Sequence, residues 1–304
     1  MFQIVVDSGA NIPAELVEQY DIRVIPFINY VDEEMIPGFE AGLTPEEERA
    51  KGKVFYDAMR NGAEVKTSLV NTGTFIEYFR PILEAGEDII YYSLSKNISG
   101  TNNAATLAAN ALKEEFSERK IFVVDSLNAS LAQGMLAIYA SEKRAEGISI
   151  EEIAEETEAS AHRMNGVFTV DSLKYLMKSG RVSNVAAIIA GALQIKPLLR
   201  GNADGYIEVF NKCHGRKKAL NELVNLVCNN IVEPEKQFLG IAHADAYEDS
   251  LKVIEKITER IKVRGVINTS YDFCTGSHVG PGTIALFFLG KDRELGGHGL
   301  VIPT

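Results

Sequence analysis

Four short segments of the chain carry the same chemical material, small hydroxyl residues and glycines set at the end of an apolar, β-branched run. They are Asp7-Ser8-Gly9, Lys66-Thr67-Ser68, Ser93 to Thr101 (SLSKNISGT), and Asp125-Ser126 with Ser130. In a parallel α/β sheet, the loops after the strands' carboxyl ends converge on one crevice, where ligands bind. A loop that also opens a helix, as ISGTNNAA is expected to, offers unpaired N–H groups and the positive end of a dipole to an anion. Thr67 and Ser99 would add side-chain donors. The chemistry within reach is the holding of an oxyanion, phosphate or carboxylate. Each segment by itself is equally what helix caps and turns use.

The densest signal of the C-terminal half is Thr275 to Gly282, TGSHVGPG. Three glycines and a proline around His278 predict a fixed loop presenting an imidazole, which donates whether neutral or charged and titrates near neutrality. Arg181, in MKSGRVS, is a second cation for such a site, or a surface arginine at a helix end. Lys212, Arg216, Lys217 and Lys218 form a basic cluster, readable as a solvated helix start or as a docking site for an acidic partner. Val185 to Leu193 (VAAIIAGAL) is apolar all round and predicts burial, as core or as pocket lining with GTIALFFLG.

Other chemistries find no support. The chain has no GxSxG, HExxH, Walker A or GxGxxG pattern. Ser99, His278 and Asp125 make a triad only on paper, given so many serines to choose from. Spacing alone leaves the function open.

Positioning such residues takes a folded scaffold, and the composition supplies one. With 304 residues, 46% hydrophobic and 24% charged, the chain can bury a sizeable core and has the length of two domains. A balance of 31 basic against 42 acidic side chains, net −11, argues against general affinity for nucleic acid or anionic membrane. Cys213, Cys228 and Cys274 are sparse, odd in number and without a CxxC pair. They fit a reducing compartment and give no metal template. The opening MFQIVVDSGANIP lacks the basic and apolar regions of a signal peptide. The uncharged, apolar stretch Val182 to Ile195 falls short of a bilayer span by roughly six residues. A cytoplasmic protein is expected.

The elements alternate. FQIVVD is a strand, PAELVEQY a helix with Pro13 in its first turn, and IRVIPFINYV a further strand, followed by a loop. TPEEERAKGKVFYDAMRNG is a helix capped by Thr44. TGTFIEYFRPILEAG, SGTNNAATLAANALKEEF and SLAQGMLAIYASEKRAEG are helices around the strands DIIYYSLS and KIFVVDS. This alternation predicts a parallel α/β sheet. After the helix ISIEEIAEETEASAHRM, GVFTVDS reads as a strand, and LKYLMKSGRVSNVAAIIAGALQIKPLL as mainly helical with a break near Gly180. GYIEVFNKCHG and KQFLGIAH are strands separated by the helix RKKALNELVNLVCNNI. SLKVIEKITERIKV is a helix, and VINTSYDF and TIALFFLG flank the turn-rich TGSHVGPG. The domain boundary is placed near Arg163, dividing an N-terminal α/β domain (1–163) from a C-terminal α/β domain (164–304).

Taken in order, VVDSGANIP, KTSLVNTGTF, SLSKNISGTNNAA, DSLNASLAQGML, TVDSLKYLMKSGRVS, GALQIKPLL and TGSHVGPGTIALFF resemble the DegV family of bacterial fatty-acid-binding proteins over essentially the whole chain. The resemblance implies a two-domain α/β fold holding one long-chain fatty acid, C16 to C18, in a tunnel between the domains. It implies a cytoplasmic, non-enzymatic subunit that presents the carboxylate to a partner fatty acid kinase. That kinase makes an acyl phosphate for phospholipid synthesis, with no cofactor on this chain and at most transient membrane contact. The family's carboxylate contacts map onto Thr67, Ser99 and His278, with Ser68, Gly100 and Arg181 in second rank. Lys212, Arg216 and Lys217 are the surface expected to meet the kinase. Asn102, Ala132 and Ser179 depart from the family pattern and bear on acyl preference. The alternative is a phosphotransfer enzyme or subunit related to dihydroxyacetone kinase, with a small polyol bound through His278. A serine hydrolase ranks below both.

Overall fold

A computed structural model describes residues 1–183, 194–291 and 293. β1 (Phe2–Asp7), β2 (Ile22–Ile25), β6 (Asp88–Ser93) and β7 (Ile121–Asp125) form an all-parallel sheet in the order β2-β1-β6-β7. β1 and β6 are buried on both faces, and this is why they read as unbroken apolar runs. β3 (Ile28–Val31), β4 (Glu34–Pro37) and β5 (Val65–Ser68) make a small antiparallel sheet with β3 in the centre. A mixed sheet, ordered β13-β12-β14-β8-β10-β11-β9, takes every described strand from Met164 onward. Its members are β8 (Met164–Thr169), β9 (Val182–Ser183), β10 (Ile195–Gly201), β11 (Ile207–His214), β12 (Phe238–His243), β13 (Gly265–Ser270) and β14 (Ile284–Leu289).

The helices among the described residues are α1 (Ala14–Gln19), α2 (Pro45–Arg60), α3 (Thr72–Glu84), α4 (Thr101–Glu115), α5 (Leu131–Ala145), α6 (Ile150–Ala161), α7 (Lys174–Ser179), α8 (Arg216–Asn230), α9 (Tyr247–Thr258) and α10 (Phe273–Val279). α2 begins as the sequence predicts: Thr44 and Glu47 form a reciprocal capping box, with Pro45 in the first turn. α5 is the layer shared by the two larger sheets. It is buried from Leu131 to Ile138, and its residues join one apolar cluster with Ile4 and Ile90 on one side and Phe287 on the other. Gly134 permits this, because a Cβ there would lie 2.6 Å from the Ala10 carbonyl oxygen.

Several expectations need correction. IRVIPFINYV is two strands in different sheets, because Pro26 has no N–H to continue a ladder and the chain turns away there. The following loop contains β4, paired to β3 through the turn at Asp32-Glu33, both at positive φ. Lys66-Thr67-Ser68 does not follow a strand; it lies inside β5, as the antiparallel partner of β3. IKPLL is extended in β10 rather than helical, since a short apolar run has no period that separates the two states. The break at Gly180 is real, a left-handed residue ending α7 (φ 69°). Val185 to Leu193 lies outside the described residues.

His278 stands on a helix, not in a loop. Asp272 caps α10 by accepting the N–H groups of Cys274 (2.8 Å) and Thr275 (3.1 Å). Gly276 fits within the helix because the Tyr56 ring fills the space a side chain would need.

Candidate functional site

A cavity of about 190 Å³ opens between the parallel-sheet half and the mixed-sheet half. Most of its wall is apolar, with Phe27, Leu94, Ile98, Phe168, Leu176 and Phe287 drawn from both halves. Thr67, Ser99, Gly100, Arg181 and His278 also line it. They arrive from β5, the turn before α4, the segment after α7, and α10. Residues far apart in sequence are thus brought to one polar cluster in an otherwise apolar space.

Thr67 Oγ1 lies 3.4 Å from His278 Nε2. The Ser99 hydroxyl is 2.9 Å from Thr101 Oγ1 and accepts the Thr101 N–H at 3.2 Å, so it sits at the start of α4. The helix offers the positive end of its dipole there. Burial, and after it the positive charge of Arg181, hold the His278 pKa down to about 4. The imidazole is therefore neutral at pH 7. Its Nε2 donates to Thr67 or accepts from it according to tautomer. One turn earlier on α10, Cys274 also lines the cavity; burial pushes its thiol well above the ordinary value, so the thiolate is absent at pH 7. Burial raises Cys213 and Cys228 as well.

Such a cluster can hold an anion. It supplies hydroxyl and imidazole donors, with the Arg181 side chain exposed at the rim. Asp125 accepts the Leu127 N–H at 2.8 Å, and no hydrogen bond joins it to His278 among the described residues. The Ser99-His278-Asp125 arrangement therefore does not form. No group of three or more His, Cys, Asp or Glu among the described residues could hold a metal ion. No helix among them is long and apolar enough to cross a membrane.

The other segments separate. Ser68 is exposed and does not line the cavity; its hydroxyl donates to the carbonyl of Leu69, which does, at 3.4 Å. Asp7 is wholly buried and accepts from Tyr91 Oη (2.5 Å), Gly9 N (3.0 Å) and Gln133 Nε2 (3.1 Å). Burial outweighs those bonds and pushes its carboxyl up to about 7. Ser8 accepts the Phe27 N–H at 3.0 Å, tying the end of β1 to the chain between β2 and β3. Asp7-Ser8-Gly9 is thus a framework motif and not part of the cavity. Ser130 does reach the wall; it donates to Asn11 Oδ1 at 2.8 Å and holds a strained backbone at φ 60°, ψ −142°. Phe27 and Tyr271 line the cavity without any motif that announced them, and Asn128 lines it from within DSLNASLAQGML, where only the hydroxyl residues were singled out.

The basic cluster is divided. Arg216 pairs with Asp249 (2.6 Å) and Asp171 (2.9 Å), whereas Lys212, Lys217 and Lys218 are exposed. Asn102, at a departure from the family pattern, donates to Ser93 Oγ at 2.7 Å.

Comparison with known proteins agrees with this architecture. The profile of a family described as an uncharacterised protein, DegV family, matches residues 1–291. A DegV domain-containing protein of Clostridium perfringens is 37% identical over 294 residues, 96% of this chain and 99% of that protein. The crystal structure of a DegV lipid binding protein from Thermotoga maritima superposes with a TM-score of 0.81 at 28% identity, covering 97% of this chain and 100% of that one. That of DegV, a fatty acid binding protein from Bacillus subtilis, gives 0.78 at 27% identity, covering 95% and 99%.

Proposed function

The chain belongs to the DegV family, and on that premise we propose that it binds one long-chain fatty acid and presents its carboxylate to a partner kinase. The acyl chain lies in the cavity between a domain of residues 1–163 and one of residues 164–304, and the head group meets Thr67, Ser99 and His278. The observation that carries this reading is the placing of those donors together in an otherwise apolar wall.

The energetics support the division of labour. A sixteen-carbon chain buries about 14 methylenes at about 0.8 kcal/mol each, close to 11 kcal/mol as an upper figure. Association costs about 4–15 kcal/mol, so the tail alone need not bind tightly. A carboxylate buried without partners would cost several kcal/mol more. Donors at the head offset that cost and fix its position. With an imidazole that is neutral until the lipid binds and a thiol that stays protonated, the site holds the carboxylate and leaves phosphate transfer to the kinase. No cofactor or metal of its own enters this role.

The partner is a cytoplasmic fatty acid kinase, docking on the surface of Lys212, Arg216 and Lys217. Contact with a membrane is at most transient, and nucleic acid has no part. The test is native mass spectrometry of the protein expressed in a bacterial host, followed by denaturation, extraction and lipid identification. A stoichiometric C16 or C18 fatty acid is expected. An empty protein that also refuses added palmitate and oleate would overturn the reading, and a bound triose would support the polyol alternative.

A further inference from the structure

We propose that Asn29 is a positioning residue for the head-group cluster, its sealed amide orienting the Thr67 hydroxyl toward the bound carboxylate. This rests on the fatty-acid reading above. Asn29 sits in the central strand of the small sheet and is 0% exposed. Among the described residues, neither its Nδ2 nor its Oδ1 has a hydrogen-bond partner. An amide shut away from water without a partner is costly, and an apolar side chain would serve the packing better. Exceptions of this kind call for a functional account.

The register supplies one. Asn29 is directly opposite Thr67 in the antiparallel pairing of β3 and β5. Residues so placed share a face, with Cβ atoms about 4.5–5.5 Å apart. That face carries the Thr67 side chain to the cavity wall and to His278 on α10, which packs against β3. Asn29 itself is not part of the wall, so it acts through Thr67.

The chemistry follows from counting protons. A threonine hydroxyl has one proton and two acceptor sites. If that proton is to reach a carboxylate, the oxygen must take its own hydrogen bonds from elsewhere. His278, in the tautomer protonated at Nε2, offers one along a long 3.4 Å contact. The Asn29 Nδ2–H group offers a second, directly on a small adjustment or through one water. With both in place, the Thr67 proton points into the cavity.

The experiment compares wild type with Asn29→Leu, close in size and apolar, and with Asn29→Ala in case leucine does not fold. The melting temperature of the lipid-free protein, palmitate affinity, and the titration of [1-13C]palmitate bound to the protein are measured together. For Asn29→Leu the expected result is a melting temperature equal to or above wild type, with affinity about three- to tenfold weaker. In both variants the bound carboxyl should titrate at higher pH, having lost support for its charged form. Wild-type affinity and an unmoved carboxyl titration in the folded variants would overturn the role of Asn29 alone. A wild-type protein that takes up no palmitate would overturn it together with the fatty-acid reading.

Discussion

Fatty-acid binding should draw a proton onto His278. In the empty protein, burial and the Arg181 charge lower its pKa from 6.5 to about 4, which is worth about 3 kcal/mol in favour of the neutral ring. A carboxylate accepting from the Thr67 hydroxyl at an ordinary hydrogen-bond length of about 2.7 Å is held close to Nε2, since the hydroxyl oxygen is 3.4 Å from that nitrogen. At an effective dielectric constant near 20, opposite charges about 4 Å apart attract by about 4 kcal/mol. That matches what burial and Arg181 take from the charged ring, enough to return His278 to its ordinary range in the complex. The bound pKa is then above the free one, so protons favour binding. Affinity should rise toward about tenfold per pH unit as pH falls from about 7 to 5.5, and be flat above about pH 8. His278→Asn keeps a donor and cannot titrate, so its affinity should be flat in the same buffers. The assay is displacement of a fluorescent fatty acid from delipidated protein, in which the absence of tryptophan removes an intrinsic background. Changes in the free lipid with pH affect both proteins equally and cancel in the ratio. A wild-type slope no steeper than that of His278→Asn would refute the argument.

Three further outcomes are expected. Thr67→Val keeps the β-branched shape of β5 and removes the hydroxyl; Ser99→Ala removes the other donor, and each should weaken palmitate binding by about 1–3 kcal/mol. Wild-type affinity in both would mean that the carboxylate lies elsewhere. Lys212→Glu with Lys217→Glu should slow acyl-phosphate formation by the partner kinase and leave fatty-acid binding intact, and an unchanged rate would end the docking proposal. Asp7, held up to about 7 when folded against 3.8 as its ordinary value, keeps its proton in the folded state while the unfolded chain loses it. Its contribution to stability is full below about pH 4 and lost as pH rises to about 7, an effect on the order of 4 kcal/mol. Thermal denaturation should therefore show a fall between pH 5 and pH 8 that Asp7→Asn flattens, and an equal fall in both proteins would count against it.

Much of this was legible locally. The apolar runs of β1 and β6, the Thr44-Pro45-Glu47 start of α2 and the glycine stop at Gly180 are written in neighbouring residues, because propensity and capping act over a few positions. The ordered motifs likewise named Thr67, Ser99 and His278, which the structure brings to one wall. Other features have no local signature. Asp7-Ser8-Gly9 and Lys66-Thr67-Ser68 look alike as short polar segments, yet Asp7 enters the core and Thr67 the cavity. The difference is that β5 pairs with β3 while β1 sits inside a parallel sheet. The small-sheet pairing also places Asn29 beside Thr67, a neighbour 38 residues distant that no motif joined to it. Thr67 meets an imidazole 211 residues further on, and only that enclosure makes His278 neutral at pH 7. Residue type and spacing set which groups are able to hold an anion. Strand pairing and burial, which depend on distant parts of the chain, set which of them face the cavity and in what protonation state.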